Sequence, residues 1–113
     1  MRIDIWSDVL CPWCYIGKRR LEKALAQFEH AGEVEVHWRS FELDPNAPTA
    51  RVGDPAERLA HKYGISVDQA RSANGRLTAL AATEGLDYRL ASTRSGNSFD
   101  AHRLIHLALS LIH

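Results

Sequence analysis

The chain opens on alternation: Ile3 and Ile5 fall on one side of Arg2, Asp4 and Trp6, which predicts a short strand over 1–6. After a short turn the period changes. Cys14, Leu21, Leu25 and Phe28 form one stripe at helical spacing, while Lys18, Arg19, Glu22 and Lys23 lie largely off it. Pro12 suits the first helical position, because its missing N–H would have no partner there in any case. Gly32 is placed to end the helix as a left-handed terminator. Val34, Val36 and Trp38 then alternate with Glu35, His37 and Arg39, predicting a second strand over 34–41 whose polar face suits an edge. Strand, helix and strand with short connections form a right-handed crossover unit with parallel strands.

A proline-rich loop, ELDPNAPTARVGD, leads into helices. Asp54-Pro55-Ala56-Glu57 has the form of a capping box, with Gly64 as the stop. Ser66-Val67-Asp68-Gln69 repeats the device and opens a longer helix ending near Gly85, with Asn74-Gly75 as a weak point inside it. The segment 86–93 reads as extended or irregular. Asn97 caps a last helix that is apolar almost all round over 104–112. Such a helix is normally buried on several sides, and the sequence to His113 offers nothing to cover it, so the chain is expected to be an incomplete part of a larger fold. The expected division is a βαβ segment over 1–45 and a helical insertion over 46–113.

Composition narrows the function. Hydrophobic residues make up 45% and charged residues 25%, which is ordinary for a globular domain. Fourteen basic residues balance fourteen acidic ones, so no net field favours nucleic acid or an anionic membrane. The Lys18–Arg20 run suits a solvated helix face. No secretory signal pattern or membrane-length apolar run is present, and a cytoplasmic location is the expectation. In a reducing compartment a close cysteine pair points to catalysis or metal binding rather than to a structural disulfide.

That pair is Cys11 and Cys14, separated by Pro12 and Trp13. At a helix start, such spacing sets the Cα atoms about 5 Å apart, within the range a disulfide accepts. Unpaired N–H groups and the positive end of the helix dipole favour a thiolate on Cys11, while Cys14, a turn inside, faces the core. Cys11 is therefore expected as the exposed, acidic nucleophile and Cys14 as the resolving thiol. CxxC at the first strand–helix junction of a βαβ unit is the thioredoxin-like signature. Zinc would need two further ligands. His102 and His106 share a helix face, but no second CxxC and no HExxH pattern accompanies them. Trp13 either shields the pair or meets substrate; Trp6, Trp38 and Phe41 read as core, and His102 and Arg103 as helix-surface groups.

The blocks IWSDVLCPWCYIGKRRLEKAL, VHWRSFELDPNAP, YGISVDQARSANGRLTALAATEGLDY and NSFDAHRLIHLA together resemble the DsbA-like thioredoxin-fold oxidoreductases, specifically their cytoplasmic FrnE-like subgroup. The resemblance implies an α/β thioredoxin-like fold carrying a helical insertion. It also implies attack by Cys11 on a disulfide, resolution by Cys14, and a last helix over the active-site groove, with His102 and Arg103 lining it. The family continues into a hairpin that begins with a cis-proline. Pro12, Pro45, Pro48 and Pro55 all precede the insertion, so none matches that residue.

The function expected is thiol–disulfide oxidoreduction or isomerisation on protein or small-molecule disulfides, without a cofactor and with glutathione as a possible thiol partner. One alternative is a glutathione-dependent transferase or 2-hydroxychromene-2-carboxylate isomerase, although such enzymes carry serine where Cys11 stands. Another is a non-catalytic module that forms a homodimer through its open strand edge or apolar last helix.

Overall fold

The computed structural model describes residues 1–112. Strand β1 (Arg2–Ser7) and strand β2 (Glu35–Ser40) pair in parallel, with helix α1 (Pro12–Ala26) between them in sequence. The register sets Ile3 beside Val36 and Ile5 beside Trp38, so the apolar positions of both strands share one face. On the other face, Asp4 takes Arg2 at 3.1 Å and, across the strands, Arg39 at 3.2 Å. Trp6 stands opposite Arg39 on that polar face, which is why it is exposed rather than in the core. Trp38 and Phe41 are also exposed, correcting the same expectation: Phe41 lies beyond the last residue of β2, and among the described residues the sheet has two strands only.

Pro12 occupies the first turn of α1, as its fixed φ favours, and Ile16 is the fully buried side chain of that helix. The helix stops at Ala26, well before Gly32, which instead lies in a short 3-10 turn over Ala31–Glu33. Phe28 therefore leaves the apolar stripe, packing edge-on to His30.

Helix α2 (Pro55–Tyr63) starts at Asp54, whose carboxylate accepts from the Ala56 amide at 3.0 Å and pairs with Arg71 at 3.2 Å. The cap thus engages the residue two along rather than Glu57, and the second carboxylate oxygen goes to Arg71. Gly64, at φ 64°, terminates α2 in the left-handed conformation. Helix α3 (Val67–Thr83) begins with the complete reciprocal box between Ser66 and Gln69, and runs through Asn74-Gly75 without a break. Ala56, Ala60 and Ala70, flanked by Leu59 and Val67, make a core of small side chains between α2 and α3. Over 86–93 the chain is irregular apart from a 3-10 turn at Leu90–Ser92.

Helix α4 (Phe99–Ser110) follows. By compactness the described chain forms two units, Met1–Thr49 together with the residues from Gly96 onward, and Ala50–Ser95. This differs from the expected division into 1–45 and 46–113, because α4 belongs with the strands and α1 rather than with the inserted helices. Asn97 is the tie. Its Nδ2 donates to the carbonyls of Ala47 at 3.1 Å and Pro45 at 3.2 Å, while its Oδ1 accepts from the Phe99 amide at 2.9 Å; the cap of α4 itself falls one residue later than expected, at Ser98, which makes no side-chain cap bond. The apolar side chains of α4, from Leu104 onward, are exposed among the described residues, and no helix is long and apolar enough to cross a membrane.

Candidate active site

The turn joining β1 to α1 is built on Asp8. Its backbone carbonyl accepts from the Cys11 amide at 3.1 Å, and its carboxylate accepts from Leu10 at 3.4 Å. These bonds set Cys11, in extended conformation at φ −87°, immediately before the first turn of α1. The Cys14 amide then donates to the Cys11 carbonyl at 3.2 Å. Both cysteines are half-buried, both are free thiols, and their sulfurs are in hydrogen-bonding contact. Trp13 between them is exposed.

The electrostatics of the pair reverse the expected asymmetry. Burial pushes the Cys11 thiol up, and its hydrogen bond to Cys14 pushes the same way, against the Trp13 and Cys14 amides that point at its sulfur. Burial also acts to raise Cys14, but the Ser7 hydroxyl, the Cys11 thiol and the Asp8 amide outweigh it and hold Cys14 below its ordinary value. The two thiols thus meet in one S–H···S contact, and on losing a proton the pair favours the thiolate on Cys14. The second sulfur collects more donors because it lies under the turn, where Ser7 and Asp8 face it.

Asp8 is the residue that sequence reasoning missed. It is 3% exposed, and its carboxylate gathers donors from three stretches of chain: the Leu10 amide, the Leu43 amide at 2.9 Å, and Ser98 and His102 at the start of α4. His102 Nε2 lies 3.1 Å from Asp8 Oδ1. Burial works against this carboxylate, but these hydrogen bonds more than offset it and hold it below the usual range. A local signal existed: an aspartate two residues before Leu10 is positioned to form an Asx-type turn.

His102 is 6% exposed, so it is not the helix-surface group its sequence context suggested. Arg103 is exposed, paired with Asp100 at 3.2 Å and set over the Phe99 ring. Together with Ser40, Glu42, Phe99 and His106, both residues line a groove of about 390 Å³ beside the end of β2. Cys11 and Cys14 are not in its lining; Asp8 and His102 connect the two regions. His106 turns to Ser40, with Nε2 3.0 Å from the hydroxyl, and so serves a different partner from His102. Among the described residues, no three His, Cys, Asp or Glu side chains converge in the manner of a metal site.

The chain is 52% identical to a protein of Streptomyces coelicolor whose crystal structure is described as that of a probable DsbA oxidoreductase, with a TM-score of 0.90 over 97% of this chain and 47% of that one. It is 31% identical to the uncharacterized protein YwbO of Bacillus subtilis (strain 168), over 60% of this chain and 38% of that protein. The chain therefore spans less than half the length of either relative. Residues 2–110, which include the Cys11–Cys14 turn, both strands and all of α4, match the DSBA-like thioredoxin domain, and the chain belongs to that family.

Proposed function

We propose that this chain carries out thiol–disulfide exchange, with Cys11 as the attacking sulfur and Cys14 as the resolving one. The observation that carries the reading is the placement of Cys11 just ahead of α1, its sulfur facing the Trp13 and Cys14 amides and touching the Cys14 thiol. A proton shift from Cys11 to the Cys14 thiolate along that contact leaves Cys11 as the thiolate. The Cys11 thiolate attacks one sulfur of a substrate disulfide; the S–S bond breaks, and the leaving sulfur departs with the bonding pair and takes up the proton held by Cys14. Cys14, now a thiolate, then attacks the Cys11 sulfur and releases the second substrate sulfur as a thiolate, which takes a proton from water. Two electrons have passed to the substrate, and a Cys11–Cys14 disulfide remains. Run in reverse, the same steps oxidise a dithiol. The substrates proposed are protein or small-molecule disulfides, with glutathione as a thiol partner and no further cofactor.

Likeness to the Streptomyces protein supports the reaction class, and Trp13, exposed beside the pair, supports contact with substrate. The test is a glutathione redox titration with alkylation and intact-mass readout. A reversible two-electron transition between dithiol and internal disulfide is expected. Cys14→Ser should accumulate a mixed disulfide on Cys11, and Cys11→Ser should abolish turnover. Absence of a reversible internal disulfide overturns the reading; a mixed disulfide forming on Cys14 in the unsubstituted chain overturns the assignment of roles.

A further inference from the structure

Asp8 touches the Cys14 sulfur in two opposed ways. Its amide donates to the sulfur and favours a thiolate, while its carboxylate charge acts against one. The same carboxylate is buried and receives His102 at 3.1 Å. An ionised carboxylate has no proton to give, so the bond is donated by His102 Nε2–H, and Nδ1 is the second ring nitrogen left to find a partner of its own. That Nδ1 is buried and has no hydrogen-bond partner. A buried polar atom without a partner typically costs about 1–3 kcal/mol. The molecule therefore holds the ring in an orientation that satisfies Asp8 at the expense of its own second nitrogen. The amides of Leu10 and Leu43 already give each Asp8 oxygen a donor, so His102 is not needed simply to keep the carboxylate from being bare.

We propose that Asp8 and His102 form a positioning pair, in which His102 orients and screens the Asp8 carboxylate and Asp8 thereby sets the charge and geometry that the Cys14 sulfur meets. This rests on the reading of Cys14 as the resolving cysteine. The pair makes α4, at the far end of the described chain, part of the reactive turn. The neighbouring ionisable groups are Cys11 and Cys14 on one side and, on the groove shared with His102, Glu42, Arg103 and His106. His102 contacts no reacting atom; it acts through Asp8.

The test measures the alkylation rate of Cys14 against pH in a Cys11→Ser background, where one thiol remains. His102→Ala should slow alkylation at neutral pH by roughly threefold or more, because an unscreened carboxylate opposes the thiolate. His102→Gln, which keeps an N–H donor, should restore most of the rate. With Asp8→Asn in the same chain, the difference between His102 and alanine should vanish. Equal rates for His102 and alanine, or the same slowing in the Asp8→Asn background, would overturn the pair. A measurement without variants at this pair guards against misfolding. In the unsubstituted chain, nitrogen-15 shifts of His102 should show a protonated Nε2 and should move when Cys14 is alkylated; an unprotonated Nε2, or indifference to Cys14, overturns the proposal. Coupled behaviour in a chain that forms no internal disulfide would sink the oxidoreductase reading and leave the pair standing. Normal disulfide cycling with uncoupled rates would sink the pair alone.

Discussion

His102 Nε2 and Asp8 Oδ1 stand 3.1 Å apart, both buried, although 94 positions separate them in the chain. The contact closes the unit formed by β1, α1, β2 and α4, and it has a pH signature. Burial raises the Asp8 carboxyl, but the amides of Leu43 and Leu10, the Ser98 hydroxyl and His102 together bring it below its ordinary value of 3.8. A carboxyl depressed in the folded state binds its proton more readily when unfolded. Its contribution is thus fully present above the unfolded value and is lost as pH falls through the lower folded value. Stability should fall on acidification below about pH 5, and Asp8→Asn should be less stable at neutral pH and show a shallower acid dependence. Urea midpoints measured across that range decide it; parallel curves for the two proteins would contradict the assignment.

Two glycines test backbone conformation without interference from packing, because a Cβ at either would meet no other atom within 4 Å. Gly64 sits at φ 64°, where an L side chain is strained, and Gly64→Ala should destabilise by about 1–2 kcal/mol. Gly75 is an interior residue of α3, and Gly75→Ala should stabilise by about 1 kcal/mol. Thermal unfolding of the two variants should therefore shift in opposite directions.

The start of α3 is held by a reciprocal pair: the Gln69 amide donates to Ser66 Oγ at 3.0 Å, and the Ser66 amide donates to Gln69 Oε1 at 2.9 Å. Ser66→Ala should cost about 1 kcal/mol. Adding Gln69→Ala should cost less than its effect alone, since the two bonds support one helix start. A double-mutant cycle by chemical denaturation reads the coupling, and strict additivity would mean the box does not act as a unit.

Local chemistry was legible in the sequence, and distant partnership was not. Pro12, the Ser66–Gln69 box and Gly64 act through residues within one helical turn, so their types announce them. The cysteine pair was legible for the same reason. Gly32 misled because a glycine also suits the 3-10 turn that follows α1, and residue type does not distinguish the two uses. Trp6 was misplaced because large aromatics are often buried, while strand alternation sets it on the face opposite Ile3 and Ile5; the periodicity should have outweighed the preference. His102 had no local signal at all. A histidine in an apolar helix looks the same whether it faces water or a buried carboxylate, and only the fold brings Asp8 to it. The order of acidity within the cysteine pair was likewise out of reach, since it depends on Ser7 and Asp8 lying against the second sulfur.

The exposed face of α4 sets a last expectation. Leu104, Leu107 and Leu111 recur at helical spacing and are 67%, 56% and 76% exposed. Side chains of this kind, aligned along about two turns, drive association in water, and burying each leucine is worth about 1.5–3 kcal/mol. The chain should therefore self-associate, its apparent mass in sedimentation rising with concentration. Leu107→Glu combined with Leu111→Glu removes two of the three contacts and should weaken association by a factor of ten or more. Because those side chains face water within the described chain, the double variant should keep its helical signal and its Cys11–Cys14 redox transition while becoming monomeric. A monomeric mass for the unsubstituted chain at every concentration would show that this apolar face does not pair with a second copy.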